Sequence, residues 1–269
     1  GISLVIGNWT LVIFLRPGVL VTEGRPVVKM IKLGVAGAMG KMGQRILELA
    51  GNDPEMRISL ALERLTHPEI GTKIAGVEVV SDKELIRDID GLIDFSSVEG
   101  TLDHLRYCAK FKKPVVIGTT GFSEEQKKEI AEASRTIGVV FSPNMSIGVN
   151  LLFELTRGAA RTLPPDYRVS MTEAHHVHKK DAPSGTAKFL ADIVKEERRL
   201  DEVPIRSIRE GEIVGDHQIV FESPWDTITI SHHAKTRDIF ARGALAALRF
   251  VVKKRHGLYT MADVLAQRS

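Results

Sequence analysis

The stretch EAHHVHKKDAPSGTA, residues 173–187, places three histidines, two lysines and an aspartate within nine residues. Histidine can accept or donate a proton near neutral pH, and a neighbouring lysine adds a positive charge. The segment continues into Ser184-Gly185-Thr186, where a helix is predicted to start. Backbone N–H groups at a helix start are free to bind a carboxylate. The combination is typical of proton delivery to an anionic substrate.

Two other interpretations of this stretch stay open at the level of its residues. His176 and His178 are two residues apart, so on a strand they would share one face, as in some metal sites, with Asp181 as the nearest third ligand. No cysteine strengthens that metal hypothesis. The run HKK is also typical of an ordinary solvated basic loop. The rest of the chain has to separate these alternatives.

From Met30 onward the sequence alternates strand-like and helix-like segments. Apolar runs predict strands, apolar residues at helical spacing predict helices between them, and Ser123 with Gln126 forms a capping-box pattern. The helical segments include 41–50, 98–110 and 123–135, and the predicted strands are IKLGVA, MRISLALE, GLIDFSS, PVVIGTTG and VVFSPN. This order predicts an α/β fold whose first domain is a Rossmann-like, doubly wound parallel sheet with helices on both faces.

The turn after the first predicted strand, GAMGKMG at residues 37–43, predicts a dinucleotide site. It departs from the strict G-x-G-x-x-G motif because Gly40 comes one position late, but a strand precedes it and a helix follows. Glycines there let the backbone approach a pyrophosphate at a helix start. Glu63 ends the second strand about 20 residues further on, where a carboxylate can accept hydrogen bonds from a ribose.

Two further small polar loops, GTTG at 118–121 and SPNMSIGVN at 142–150, follow later strands. Ligands of open parallel sheets bind outside the carboxyl ends of the strands. The two loops together therefore favour contact with a nicotinamide ring and its ribose.

After Asn150 the pattern changes to an α+β domain. A helix is predicted over 147–161, and the segments IRSIRE, DHQIVFE and TITISHHAK are predicted strands without intervening helices, hence a mixed sheet. A last helix, about Asp238 to Lys254, is expected to return to the first domain. We therefore divide the chain into an N-terminal extension of unassigned role, a dinucleotide-binding domain, a substrate and oligomerisation domain, and a C-terminal helical segment, with bounds 1–29, 30–146, 147–240 and 241–269.

Composition limits the possible functions. The net charge of +3 lacks the basic footprint of nucleic-acid-binding proteins, so no nucleic-acid partner is expected. Apolar runs in residues 1–29 are too short for a membrane span, which needs about 20 residues. A single cysteine, Cys108, cannot form an internal disulfide framework or a cysteine-rich zinc site and favours a reducing, cytoplasmic location.

At these motifs the sequence resembles the dihydrodipicolinate (4-hydroxy-tetrahydrodipicolinate) reductase family. The shared elements are GAMGKMG, Glu63-Arg64, DFSS, GTTG, SPNMSIGVN, FARGALAA at 240–247 and above all HHVHKKDAPSGT. The resemblance runs from about Met30 to the C-terminus and implies a two-domain enzyme, usually a homotetramer. Such an enzyme reduces its cyclic dicarboxylate substrate with NADH or NADPH, with loss of water, in diaminopimelate and lysine biosynthesis.

The resemblance also implies a role for each site residue and needs no metal. His175 would be the acid/base residue and Lys179 the proton donor, while His176, Gly185 and Thr186 would hold the substrate carboxylates. The implied cofactor-binding residues are Gly37, Ala38, Met39, Gly40, Lys41, Met42, Glu63, Arg64, Gly118, Thr119, Thr120, Ser142, Pro143, Asn144 and Met145.

Two rival functions would share part of this pattern. Another nicotinamide enzyme, such as a homoserine- or aspartate-type dehydrogenase, would share the first domain but not the HHVHKKDAPSGT element. A dinucleotide sensor would keep the glycine turn but has no use for His175 and Lys179 beside an anion site.

Overall fold

The computed structural model of the chain describes residues 2–6, 9–13 and 30–267. The first two ranges are strands β1 (Ile2–Ile6) and β2 (Trp9–Ile13), which pair antiparallel in a two-stranded sheet of their own. The remaining residues of the predicted N-terminal extension lie outside the described part of the chain.

Strands and helices alternate through the first domain, as predicted. The capping box is confirmed, because Ser123 accepts a hydrogen bond from the Gln126 backbone while the Gln126 side chain accepts one from Ser123. Two strands and a 3-10 helix between residues 73 and 88 were not predicted, because each is too short to carry a hydrophobic period. In chain order the elements are β3 (Ile31–Ala36), α1 (Lys41–Gly51), β4 (Met56–Leu62), β5 (Lys73–Ile74), β6 (Val77–Val80), the 3-10 helix (Lys83–Asp88), β7 (Gly91–Asp94), α2 (Val98–Phe111), β8 (Val115–Ile117), α3 (Glu124–Ser134) and β9 (Gly138–Phe141).

The second domain carries a mixed four-stranded sheet, which confirms the predicted α+β architecture. Its elements are α4 (Ile147–Thr162), β10 (Arg168–His175), α5 (Gly185–Arg198), β11 (Ile205–Arg209), β12 (Asp216–Glu222) and β13 (Thr227–His233). The sheet order is β11-β10-β12-β13, in which β10 and β11 are parallel and the other neighbours antiparallel. Helices α4 and α5 cover one face of this sheet in an apolar core.

The end of the chain contributes to the first sheet. It forms α6 (Asp238–Val251), β14 (Gly257–Tyr259) and α7 (Met261–Ala266). Helix α6 packs on α1 and on the central strands, and β14 pairs parallel with β9. The helix ends at Val251, before the predicted Lys254, and the short strand β14 was not predicted.

The large sheet has the order β14-β9-β8-β7-β3-β4-β6-β5, and every pair except β5 with β6 is parallel. Helices α1 and α6 cover one face, and α2 and α3 cover the other, which confirms a doubly wound, Rossmann-like fold. The strand order reverses between β3 and β7, so the loops after these strands line a crevice at one edge. Among the described residues, every helix is too short or too polar to cross a lipid bilayer.

Candidate active site

The glycine turn between β3 and α1 is built for close backbone contact. Gly37 has φ +71°, and a Cβ atom there would lie 2.5 Å from the carbonyl oxygen of Phe95. A Cβ atom at Gly43 would lie 2.1 Å from the carbonyl oxygen of Gly37. Side chains are therefore excluded at both positions, and the turn passes tightly under the start of α1. Such a cradle fits a pyrophosphate.

Glu63, directly after β4, lies across this turn. Its carboxylate accepts hydrogen bonds from the backbone N–H of Met39, at 3.2 Å, and of Arg64, at 3.1 Å. These contacts hold an anionic acceptor beside the glycine turn, where a ribose hydroxyl of a bound dinucleotide can donate to it.

Two cavities follow the carboxyl edge of the large sheet and meet at Phe95. The first has a volume of about 750 Å³, and the predicted residues that line it are Gly37, Met39, Gly40, Glu63 and Arg64. The second has a volume of about 420 Å³, and the predicted residues that line it are Lys41, Met42, Gly118, Thr120, Ser142, Pro143, Asn144 and Met145.

Ala38 and Thr119 are the two predicted cofactor residues that line neither cavity. Ala38 is fully buried in the core beside β3. Thr119 is also buried, and its hydroxyl oxygen lies 2.8 Å from that of Thr101. Their side chains therefore support the loops from behind instead of facing the cavities.

Asp94, at the carboxyl end of β7, organises the loops around the switch point. Its fully buried carboxylate accepts hydrogen bonds from the Ser96 backbone at 2.9 Å and the Thr101 hydroxyl at 3.0 Å, and contacts His104 Nδ1 at 2.7 Å. Burial alone would raise the pKa of Asp94, but the hydrogen bond and charge of His104 and the bonds from Ser96 lower it below its usual value. The DFSS motif therefore includes an anchoring carboxylate to which the sequence pattern assigned no role.

A third cavity, of about 630 Å³, brings together all five residues predicted for catalysis and substrate binding: His175, His176, Lys179, Gly185 and Thr186. It adjoins the second cavity, because both are lined by Thr120, Ser142, Pro143, Arg237 and Phe240. Chain segments more than 100 residues apart in sequence thus meet at one cleft between the two domains. Arg237 and Phe240, at the start of α6, were not predicted, because only the return of the chain to the first sheet places them there.

His175, the last residue of β10, is nearly buried and is held by Glu173. The Nδ1 atom of His175 lies 2.5 Å from Oε2 of Glu173, and an ion pair of 2.8 Å joins Oε1 of Glu173 to Arg209. Burial lowers the pKa of His175, and the hydrogen bond that its Nδ1–H donates to the Glu173 carboxylate offsets this only in part. A neutral His175 is therefore favoured at neutral pH.

Lys179 lies in the loop after β10, where its ammonium group pairs with Asp181 at 2.8 Å. Its side chain is only partly exposed, and it lines the third cavity together with His175. The cavity wall therefore carries a cation and an imidazole.

The start of α5 supplies the predicted anion site. Ser184 caps the helix by accepting a hydrogen bond from the Ala187 backbone, so Gly185 and Thr186 form its first turn. Backbone N–H groups in a first helical turn have no intrahelical acceptor and carry the positive end of the helix dipole. Arg237, which also lines this cavity, comes within 3.5 Å of His176 Nε2.

The strand geometry on which the metal interpretation of the opening motif depended is not observed. Strand β10 ends at His175, so His176 and His178 lie in the following turn and not on one strand face. The side chain of His178 is largely exposed and lies 3.9 Å from Glu212, and Asp181 is paired with Lys179. Among the described residues, the one group with metal-type donors at suitable distances is Glu173, His175 and His217. Within this group, the carboxylate oxygens of Glu173 contact Nδ1 of His175 and the guanidinium of Arg209, and the ring of His217 lies edge-on to that of His175.

A Rossmann-like sheet with a glycine-turn cavity, joined to a histidine–lysine cleft on a second domain, defines a nicotinamide-nucleotide oxidoreductase. The family profile described as "Dihydrodipicolinate reductase, N-terminus" matches residues 31–145, and "Dihydrodipicolinate reductase, C-terminus" matches residues 148–265. The chain therefore belongs to the dihydrodipicolinate reductase family.

Individual relatives agree with this assignment. The chain is 40% identical to 4-hydroxy-tetrahydrodipicolinate reductase of Nitrosomonas europaea over 88% of this chain and 99% of that relative. It is 41% identical to the protein of the same name from Nitrosospira multiformis, over 88% and 98% of the two chains. The solved structure of dipicolinate-bound dihydrodipicolinate reductase from Paenisporosarcina sp. TG-14 matches with a TM-score of 0.75 at 27% identity, over 86% of this chain and 97% of that one.

Proposed function

We propose that the protein reduces 4-hydroxy-tetrahydrodipicolinate to tetrahydrodipicolinate with NADH or NADPH, with loss of water, in diaminopimelate and lysine biosynthesis. One observation carries the proposal. The cavity lined by His175, Lys179 and the start of α5 adjoins the cavity of the GTTG and SPNMS loops. A dicarboxylate in this third cavity can therefore meet a nicotinamide ring in the second cavity. Family membership and the names of the relatives support the same reaction.

The cofactor fits the residues of the two sheet-edge cavities. Gly37, Gly40 and the start of α1 hold the pyrophosphate, and Glu63 with Arg64 faces the adenosine ribose. The loops of the second cavity hold the nicotinamide half. The bound cofactor supplies the hydride, while the protein orients it and excludes water.

The substrate carboxylates are held by His176 and by the backbone and hydroxyl of Gly185 and Thr186. Two negative charges require either cations or oriented N–H groups once water is displaced. The α5 start provides the N–H groups, and the guanidinium of Arg237 adds positive charge at the boundary between the two cavities.

Proton transfer is assigned to Lys179 and His175. Lys179 Nζ carries a proton that can be delivered to the leaving hydroxyl group, so that it departs as water. Its 2.8 Å contact with Asp181 keeps the ammonium group in the loop that borders the cavity. His175 exchanges a proton through its Nε2 atom, because its Nδ1 atom is engaged by Glu173.

We also propose a homotetramer that assembles through the second domain. The face of the mixed sheet opposite α4 and α5 exposes alternate residues of β13, including Thr227, Thr229 and Ser231. Trp225, in the turn before β13, is 87% exposed. An edge strand leaves backbone N–H and C=O groups unpaired, and a second chain can pair with them. Light scattering with size-exclusion chromatography should give four times the mass of one chain.

The chain division at residues 30–146, 147–240 and 241–269 and the cytoplasmic location remain proposals. The packing of α6 and the pairing of β14 with β9 support the last boundary. A single, fully buried Cys108 supports a reducing compartment.

The reaction is tested by following NAD(P)H oxidation with substrate made freshly from pyruvate and aspartate semialdehyde by the upstream synthase. We expect turnover with the parent protein and a loss of kcat of about 10²- to 10⁴-fold in Lys179→Ala and His175→Ala. The affinity for NADH should barely change in either variant. Lys180→Ala, which removes a neighbouring exposed lysine that lines none of the three cavities, is the control and should keep parent activity. Parent-like turnover in either test variant would remove that residue from its role.

A further inference from the structure

Behind His175 lies a buried charged pair that the reaction itself does not use: Glu173 on β10 and Arg209 on β11. We propose that both are positioning residues. Glu173 holds His175 in the tautomer whose Nε2 atom is free for proton exchange, and Arg209 holds both Glu173 and the loop of Lys179. The assignment rests on the proposed function, since it takes His175 and Lys179 as the residues that move protons.

Strand geometry brings these side chains together. Residues two apart on a strand share a face, so the face of β10 that buries Val169 and Met171 continues with Glu173 and His175. In the parallel register with β11, His175 lies opposite Arg209. In the antiparallel register with β12, Glu173 lies opposite His217. The apolar core thus ends in a polar layer at the cleft.

The contact between Glu173 and His175 fixes the position of a proton. Glu173 is 1% exposed, and although burial would raise its pKa, hydrogen bonds from Arg209, Ser207 and His175 lower it, so the carboxylate is ionised. An ionised carboxylate can only accept, so the hydrogen of the 2.5 Å contact belongs to Nδ1 of His175. Neutral His175 then carries a free lone pair on Nε2.

The space beside Nε2 is kept open by a residue without a side chain. A Cβ atom at Gly215 would lie 3.1 Å from Nε2 of His175. This approach is tighter than ordinary van der Waals contact, so a larger residue would press against the imidazole at the atom that exchanges the proton.

Arg209 connects the two proton-transfer residues. One guanidinium nitrogen contacts Oε1 of Glu173 at 2.8 Å and also donates to the backbone carbonyl of Asp181 at 2.5 Å. Asp181 in turn holds Lys179 through its side chain. The position of the Lys179 loop and the position of His175 are therefore set by the same side chain.

Four charged or titratable groups face His175: Glu173, Arg209, Lys179 and His217, whose ring lies edge-on at 5.3 Å. Only the carboxylate favours the imidazolium form. Replacing it with an amide should lower the pKa of His175, and the limb of the pH–rate profile that reports His175 should move to lower pH. Loss of fold or of cofactor binding would not produce that shift.

The first test needs no substrate. Nitrogen-15 NMR of histidine-labelled parent protein, with His175→Gln for assignment, reports which ring nitrogen of His175 carries the proton. We expect the Nδ1–H tautomer. An Nε2–H tautomer of His175 would overturn the proposal, whichever reaction the protein catalyses. The measurement uses the parent protein, so it can be made even if the Glu173 variants fail to fold.

The second test is kinetic. Glu173→Gln should lower kcat by about 10²- to 10⁴-fold, with the affinity for NADH unchanged, because the amide can donate to Nδ1 and reverse the tautomer. Glu173→Asp should recover part of the rate, and Arg209→Met should lower kcat. Arg206→Met on the same strand removes an exposed arginine and should match the parent. A Glu173→Gln protein with parent kcat and an unshifted pH profile would refute the positioning role, whereas absence of turnover in the parent would count only against the proposed reaction.

Discussion

The side-chain amide of Asn144 donates a 3.1 Å hydrogen bond to the hydroxyl of Thr186. Asn144 belongs to the loop after β9, and Thr186 to the first turn of α5, so the bond joins the wall of the second cavity to the predicted carboxylate site. The bond also uses the hydroxyl as an acceptor and leaves its own hydrogen available for a substrate carboxylate.

Replacing Thr186 with valine keeps the shape and removes this donor. A hydrogen bond to a charged group contributes about 1.5 to 3 kcal/mol, so kcat/KM for the substrate should fall by roughly 10- to 100-fold. The dissociation constant of NADH, measured by fluorescence, should change little. Thr136→Val, in the turn after α3 and outside the three cavities, is the control. An unchanged kcat/KM in Thr186→Val would exclude the hydroxyl from substrate binding.

Arg64 is expected to determine how well NADPH is used. Glu63 accepts from a free ribose 2′-hydroxyl but repels a 2′-phosphate, whereas the guanidinium of Arg64 can pair with that phosphate. Both residues line the first cavity, so kcat/KM for the two cofactors should agree within about tenfold. Arg64→Ala should lower kcat/KM for NADPH much more than kcat/KM for NADH. The difference between these two effects should shrink at high salt.

The matched control for Arg64 is Arg57→Ala, because Arg57 is exposed near the amino end of the same strand, β4. Steady-state kinetics with both cofactors compare the variants. If Arg64→Ala lowered kcat/KM equally for NADH and NADPH, the guanidinium would lie outside the 2′-phosphate site.

Gly243 should not tolerate a side chain. A Cβ atom there would lie 1.7 Å from the carbonyl oxygen of Met145, so α6 touches the SPNMS loop through this glycine. Gly243→Ala must displace the helix or the loop, and we expect a loss of about 1 to 3 kcal/mol in the free energy of unfolding. Gly158→Ala on α4 meets no atom within 4 Å and should be neutral or stabilising by up to about 1 kcal/mol. Urea denaturation compares the two, and equal stabilities would contradict the close packing.

The buried imidazole of His217 should make folding sensitive to acid. Burial, followed by the charge of His175, lowers the pKa of His217 to about 3. In the unfolded chain a histidine takes up a proton near pH 6.5, so between pH 6.5 and 3 the unfolded state binds more protons and stability falls as the pH falls. From pH 6.5 to 5 this contribution is on the order of 1 to 2 kcal/mol.

His217→Gln should flatten that part of the stability profile, as measured by urea denaturation at several pH values. His256→Gln replaces an exposed histidine and should leave the profile as in the parent. If His217→Gln lost stability with falling pH as steeply as the parent, another group would be responsible.

Local sequence patterns predicted the order of the elements well because buried parallel strands and amphipathic helices leave strong periodic signals. Strand β14 has three residues and no period of its own, so only its pairing with β9 defines it. The five residues predicted for catalysis and substrate binding come from one continuous motif, and the structure places them around one cavity.

The supporting residues were harder to predict, because their positions depend on long-range register. Arg209 and His217 lie 34 and 42 positions after His175 in the chain, and only the pairing of β10 with β11 and β12 brings them to it. Glu173 was predictable in principle. It stands two residues before His175 in a predicted strand, which places both side chains on one face.

The late position of α6 and β14 in the chain also has a consequence for biosynthesis. Leu248 and Val251 on α6 cover the same core as Ile93 and Val116 of the central strands. During translation those strands emerge well before α6 exists, so the part of their apolar face that α6 covers stays exposed until the second domain has been made. The nucleotide-binding half therefore matures last, although it begins first, and the nascent chain offers a binding surface to chaperones throughout that interval.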